Sequence, residues 1–289
     1  MKRMLTLVLC AILACSLILG AAGCSKKTEK TGQPTPETKE TAKKPFKVGL
    51  ECSYAPFNWT QKDDSNGAVP ISGSKEFAGG YDIEIAKKIA DGLGRDLVIV
   101  KTAWTGLVPA VQSDTIDAII AGMSPTAERK LTIDFSDNYY KSELVMVVQK
   151  GSPYAKATSI QDFKGAKVTA QLDTFHYSVI DQIKGVKKQT AMDDFAAMRV
   201  ALESGIIDGY VSERPEGVSA SAANPKFVMV QFAPGKGFKA SDDDVAVAVG
   251  LKKGNPDREE INEILAKITD AERVQIMDQA IKNQPAAGK

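Results

Sequence analysis

Histidine is almost missing from this chain: there is one in 289 residues, His176. Metal centres built from paired histidines are therefore excluded. Cysteine is scarce too, with four residues, and Cys10, Cys15 and Cys24 all fall in the first 24 positions. Only Cys52 lies beyond them. One thiol cannot close an internal disulfide, so the body must be held by its core, and about 245 residues are enough to build one. A catalytic Cys52 would need a base, and nothing in the sequence brings His176 to it, so Cys52 reads as a packed strand residue. Charge of either sign is hardly in excess: 37 Lys and Arg against 36 Asp and Glu leave +1. That excludes the basic surplus that holds phosphates, and nucleic acid is not an expected partner. There is no G-x-S-x-G elbow, and no Gly-rich loop follows a strand. Together these absences favour binding over turnover and imply neither metal nor cofactor.

What is present begins with a leader. Lys2 and Arg3 open a run, residues 4–23, that carries no charge. The pattern is that of a secretion signal, although about 18 apolar residues are also enough for an uncleaved anchor. Ala21-Ala22-Gly23-Cys24 resembles the lipobox of bacterial lipoproteins, in which the cysteine is acylated and becomes the first residue of the mature protein. The resemblance implies that residues 1–23 are removed and that Cys24 carries lipid. The body would then sit on the extracytoplasmic face of the cell membrane. Residues 24–44 are rich in Thr, Lys, Glu and Pro, with Ala42 almost the only apolar side chain. Such a segment has nothing to bury and reads as a disordered tether.

Past Pro45 strands and helices alternate. Residues 46–50 and 97–100 read as strands. Between them, 81–94 reads as a helix, with Ile85 and Ile89 one turn apart and Gly94 as its stop. A short helix with Pro109 in its first turn leads to a strand at 116–120. This is βαβ logic, predicting an α/β protein with mostly parallel sheets flanked by helices. A weak internal repeat extends it. Residues 110–121, AVQSDTIDAIIA, match 201–212, ALESGIIDGYVS, at an offset of 91. Each is a helix end, a Ser-led turn, Ile-Asp and a strand, which suggests two similarly wound lobes. In open α/β sheets ligands sit beyond the carboxyl ends of strands, so Gly122, Met123, Ser124 and Glu213 are expected to line one cleft. Near the C-terminus, Asn255-Pro256 should start a helix with a stripe of Ile261, Ile264, Leu265 and Ile268. Thr269 and Glu272 have capping-box spacing for the last helix.

The segment Gly122-Met123-Ser124-Pro125-Thr126-Ala127-Glu128-Arg129 carries the strongest chemical signal. Ser124 as N-cap and Pro125 at N1 predict a helix start, whose unpaired N–H groups favour an anion. Arg129, one turn in, adds a planar two-pronged donor suited to a carboxylate.

Five ordered motifs give this signal a context: Glu51-Cys52-Ser53-Tyr54-Ala55-Pro56-Phe57, Gly80-Tyr81-Asp82-Ile83-Glu84, Trp104-Thr105-Gly106-Leu107-Val108-Pro109-Ala110, residues 122–129, and Phe135-Ser136-Asp137-Asn138-Tyr139-Tyr140. With them the chain resembles the bacterial extracellular solute-binding proteins of family 3, the capture subunits of ABC importers for polar amino acids. The resemblance implies a two-lobed periplasmic-binding-protein fold of type II. Lobe 1 would comprise residues 45–141 and 247–289, with 142–246 inserted as lobe 2 and hinge crossings near 140–145 and 244–248. It also implies roles. Arg129 would clamp the ligand's α-carboxylate, with main-chain N–H groups at Ser124 and Thr174. Glu213 and the Gly122 carbonyl would hold the α-ammonium. Tyr54 and Trp104 would sandwich the side chain, with Phe57, Met123 and Gln171 completing the site. Asp173 stands where the family has glycine, a position that asks for a left-handed backbone. Glu51, three before the tyrosine, would favour a guanidinium or ammonium, which points to arginine or lysine, with glutamine or histidine as alternatives. The implied partners are an L-amino acid, an ABC permease and the membrane, reached through the lipid; the chain itself would be a monomer. The alternative from another class is a cyclohexadienyl dehydratase-like lyase, with Glu213 as general acid.

Overall fold

The computed structural model describes residues 44–285. The expected leader, the expected lipidation site at Cys24 and the expected tether up to residue 43 lie outside them. The chain forms β1 (Phe46–Leu50), β2 (Ser53–Tyr54), β3 (Asn58–Gln61), β4 (Val69–Pro70) and β5 (Phe77–Gly79), then α1 (Tyr81–Leu93), β6 (Leu97–Lys101), α2 (Leu107–Gln112) and β7 (Ala118–Ile119). Next come β8 (Asp134–Lys141), β9 (Leu144–Gln149), β10 (Lys167–Thr169), α3 (Phe175–Val179), β11 (Lys187–Lys188), α4 (Phe195–Glu203), β12 (Gly209–Glu213), α5 (Arg214–Ala223) and β13 (Phe227–Val230). The chain closes with β14 (Ala246–Leu251), α6 (Arg258–Ala266) and α7 (Asp270–Asn283).

These elements build two five-stranded sheets of one design, the two-lobed architecture read from the sequence. The first has the order β6-β1-β7-β14-β8 and the second β11-β10-β12-β9-β13. In each, three parallel strands are followed by an antiparallel pair. Strands β2 to β5 add a small antiparallel sheet to the first lobe. The chain passes between the sheets at β8 to β9 and again at β13 to β14. The two passages run side by side, with Ser142 N–H donating to the Val245 carbonyl at 2.9 Å.

The internal repeat is a structural one. Ser113 and Ser204 each turn a hydroxyl back onto their helices, to Pro109 O and Val200 O, both at 2.9 Å. Asp114 and Gly205 take the left-handed turn position, φ 59° and 74°. Asp117 then accepts the Lys47 N–H at 2.8 Å, and Asp208 accepts the Lys167 N–H at 2.7 Å. Each aspartate thus ties its strand to the start of the neighbouring parallel strand.

Local signals set most boundaries. Gly94, at φ 59°, stops α1, as a residue without a Cβ can in a left-handed cap. Thr269 caps α7 by accepting the Glu272 N–H, but the reciprocal half of the box does not form: the Glu272 carboxylate pairs with Lys88 at 2.6 Å. Strand β7 is shorter than expected, and α6 begins at Arg258, after Asn255 has bent the chain by accepting the Asp257 N–H. Cys52 is buried but stands in a bend between β1 and β2 at φ 55°, not within a strand.

The apolar cores do not divide as neatly as the sheets. One cluster fills the first lobe and continues into Phe195, Met198, Leu202 and Tyr210 on and beside α4. The other is confined to the second lobe, around Phe163, Val168 and Ile180. Among the described residues no helix is long and apolar enough to cross a membrane.

Candidate functional site

The loops that follow β7 and β10 approach one another across a narrow crevice, closed down to about 10 Å³ of free space. Seven of the eleven expected residues line it: Tyr54, Trp104, Gly122, Ser124, Arg129, Gln171 and Thr174, joined by Phe175 and His176. The other four stand behind this wall. Glu51 reaches it through Gln171, whose amide donates to Glu51 Oε2 at 3.0 Å. Glu213 lies against His176, with Oε1 3.4 Å from the imidazole Nε2. Phe57 packs behind Tyr54, centroids 4.9 Å apart. Met123 is buried beneath, and its carbonyl accepts the Ala248 N–H at 3.1 Å.

Arg129 sits at the mouth, its guanidinium 5.0 Å from the centre of the Trp104 ring, a cation–π distance. It donates to the Ser124 carbonyl at 3.0 Å and, from across the crevice, to the Asp173 carbonyl at 2.9 Å. Burial lowers its pKa to about 10, against the opposing pull of Glu128, Asp173 and Asp244, so it remains a cation at neutral pH. The helix expected from Ser124-Pro125 is absent. Ser124 turns its hydroxyl away to the Asp244 carbonyl at 2.9 Å, leaving no N-cap acceptor. Arg129 instead opens a single 3₁₀ turn, Arg129–Leu131, with its N–H resting on Thr126 Oγ1. The arginine is in reach of an anion, but a turn presents it, not a helix terminus.

Gly122 has no alternative at its position. Its φ is 61°, and a Cβ there would lie 2.6 Å from Tyr54 Cε1. Its N–H donates to the Tyr139 hydroxyl at 3.2 Å, which donates in turn to buried Asp82 at 2.7 Å. Burial raises the Asp82 pKa to about 6, offset in part by the Asn58 and Tyr139 hydrogen bonds. Asp173 takes the left-handed conformation expected of a glycine substitute, φ 54°.

The deeper wall is acidic and short of partners. Glu51 Oε1, the Tyr54 hydroxyl, both Glu213 oxygens and both His176 ring nitrogens are buried without a hydrogen bond. Such groups are costly unless something else meets them. Burial pushes the Glu51 carboxyl up to about 8; the Gln171 hydrogen bond opposes this, and Asp194 and Asp82 add to it. Tyr54 has one ring face covered from the second lobe. Phe195 of α4 stacks on it, centroids 4.3 Å apart and planes within 7°. Sequence reasoning missed Phe195 and His176, because neither belongs to a local pattern. A wider hollow of about 480 Å³ lies between α1 and α7. Its charges are mutually paired, Lys87 with Glu84 and Glu272 with Lys88, so the crevice is the better candidate.

The chain matches the bacterial extracellular solute-binding proteins, family 3, over residues 46–282, and it belongs to that family. A probable histidine-binding protein of Campylobacter jejuni is 30% identical over 245 residues, covering 84% of this chain and 87% of the relative. The ABC transporter glutamine-binding protein GlnH of Bacillus subtilis is 28% identical over 292 residues, 99% of this chain and all of that one. Among solved structures, an amino acid ABC transporter substrate-binding protein from Streptococcus pneumoniae, bound to L-arginine, superposes with a TM-score of 0.72 at 26% identity, covering 82% of this chain and 94% of the other.

Proposed function

We propose that this protein captures a polar L-amino acid between its lobes and delivers it to an ABC permease, from a lipid anchor at Cys24 on the extracytoplasmic face. The supporting observation is the distribution of charge about the crevice. A guanidinium is presented in it over an indole, and two buried carboxyl groups with oxygens free of hydrogen bonds stand behind its wall. A zwitterion answers both.

On binding, the ligand's α-carboxylate would take the Arg129 donors now spent on the Ser124 and Asp173 carbonyls. A charge-assisted, two-pronged pair is stronger than bonds to neutral carbonyls. The α-ammonium would meet Glu213 and the Gly122 carbonyl. Glu51, bare at one oxygen, favours arginine or lysine, whose cation would draw the carboxyl into its charged form; glutamine or histidine is the alternative. The side-by-side passages at 140–145 and 244–248 would serve as the hinge. Closing completes both clamps, and the closed form is what a permease would read.

A thermal-shift screen of the body against the twenty amino acids tests the reading. A ligand at 100 times its Kd should raise apparent stability by about 2.7 kcal/mol. No response to any amino acid, or turnover of prephenate or arogenate, would overturn it.

A further inference from the structure

His176 is the single histidine of the chain, and it stands inside the crevice wall between Glu213 and the enclosed space. It is 5% exposed. Both ring nitrogens are buried without a hydrogen-bond partner, and Nε2 lies 3.4 Å from Glu213 Oε1. In this closed form, therefore, the imidazole stands at the carboxylate that would otherwise face a ligand cation. We infer that His176 makes capture in the crevice dependent on pH, its protonated ring competing with the ligand's α-ammonium for Glu213. The inference deepens the proposed amino-acid site and rests on that reading.

The physical basis is charge counting in a closed space. Both Glu213 oxygens are bare, so one cation beside them is strongly favoured. A second cation at the same carboxylate would face like-charge repulsion with little solvent to screen it. Imidazole is the side chain whose charge ordinarily changes between pH 5 and 8. The charged and titratable groups around it are few. Glu213 faces it from β12, while Arg129 and Tyr54 share the crevice from the first lobe. Asp181, in the turn after α3, is neutralised by Lys188 at 3.0 Å. Glu51 lies beyond Gln171. Glu213 is the only anion in contact with the ring among these. The sign follows: above the ring's titration the ligand finds Glu213 free, and below it a proton must leave before the ammonium can bind. Acid therefore weakens capture and promotes release.

Two measurements test this, one without any ligand. The single imidazole gives an isolated proton NMR signal. In the full chain, Glu213→Gln should lower its titration midpoint, the effect of removing an adjacent carboxylate. An unchanged midpoint would refute the pairing. The second measurement is calorimetry with L-arginine and L-glutamine at pH 8 and pH 6, on the parent and on His176→Gln. The parent's Kd should rise on acidification, by at most about tenfold per pH unit for one competing proton, and the variant should lose most of that rise. Glu51 contributes equally to both proteins and cancels in the difference. An equal rise in the variant would overturn the competition while leaving the amino-acid site standing. No binding of any amino acid at pH 8 would overturn the site and the competition together, and the NMR midpoint would still report on the pair.

Discussion

The two lobes share a plan and differ in their edges. Their sheets have the same strand order, and the same aspartate fastens β7 to β1 and β12 to β10. Beyond those strands the similarity stops. After β7 the chain runs irregularly through Gly122 and Ser124 and brings a guanidinium to the crevice. After β12 it enters α5 at once, with Pro215 in the first turn, and leaves the carboxylate of Glu213 at the last strand residue. One scaffold, used twice, thus presents opposite charges at equivalent ends. The proposed ligand, a zwitterion, would have the same polarity, and on that reading the lobes must differ where they meet and need not differ where they fold.

The largest expected effect lies on the first lobe's side of that difference. Arg129→Ala should weaken binding of whichever amino acid the parent takes by about 2–5 kcal/mol, because a desolvated carboxylate loses its charged partner. Calorimetry decides it. Near-equal affinity would mean that the charge asymmetry between the lobes is not what the ligand reads.

The shared part of the plan is tested by the twin aspartates. Asp208→Ala removes a carboxylate that accepts a main-chain N–H at 2.7 Å and should cost about 1.5–3 kcal/mol in urea unfolding. Asp117→Ala should cost more, since Asp117 also holds Arg95 at 3.1 Å, and that guanidinium side chain is only 12% exposed. A loss at one position alone would show that the repeat is a resemblance of backbone without a common structural role.

Much of this plan was legible in the sequence. The periodicity of α1, the Ile-Asp repeat and the five ordered motifs all report local constraints, which one stretch of chain can express. The failures are of another kind. Ser124-Pro125 has the chemistry of a helix start, but its hydroxyl is claimed by Asp244, 120 positions away. Phe195 and His176 gain their places only because α4 and α3 face the first lobe. The raised pKa of Glu51 is equally out of reach of a sequence window, since it comes from burial, with Asp194 and Asp82 adding to it against the Gln171 hydrogen bond. In each case the deciding partner is distant in sequence, and no window on the chain contains it.

Glu51 makes the relation between the lobes dependent on pH. Burial raises its pKa from 4.5 to about 8 in the closed form, so closure favours the protonated carboxyl. Without ligand, closure is therefore fully supported below about pH 4.5 and weakens as pH rises through about 8. Within that window each pH unit should move the open-to-closed ratio by up to about tenfold. Spin labels on Leu131→Cys and Leu172→Cys, exposed residues of the first and second lobes, would report the distance, with Cys52 buried and spared. Glu51→Gln should abolish the pH response. A response that persists in this variant would assign it to another group.

The smallest effect concerns an aromatic contact by which the second lobe joins the first lobe's core. Phe195 stacks on Tyr54 at 4.3 Å, and such pairs contribute about 0.5–1.5 kcal/mol beyond the area they bury. Phe195→Leu keeps an apolar side chain against the cluster but removes the ring. The same labelled pair should then show the ligand-free population moving toward the open form by roughly two- to tenfold, that energy expressed as a ratio. A bound amino acid should restore closure, because Arg129 and Glu213 act through the ligand and not through this ring. If the population does not move, the shared core is an accident of proximity, and closure in the absence of ligand rests on polar contacts such as those from Arg129 to Asp173, from Gln171 to Glu51 and from Arg199 to the Ala55 carbonyl.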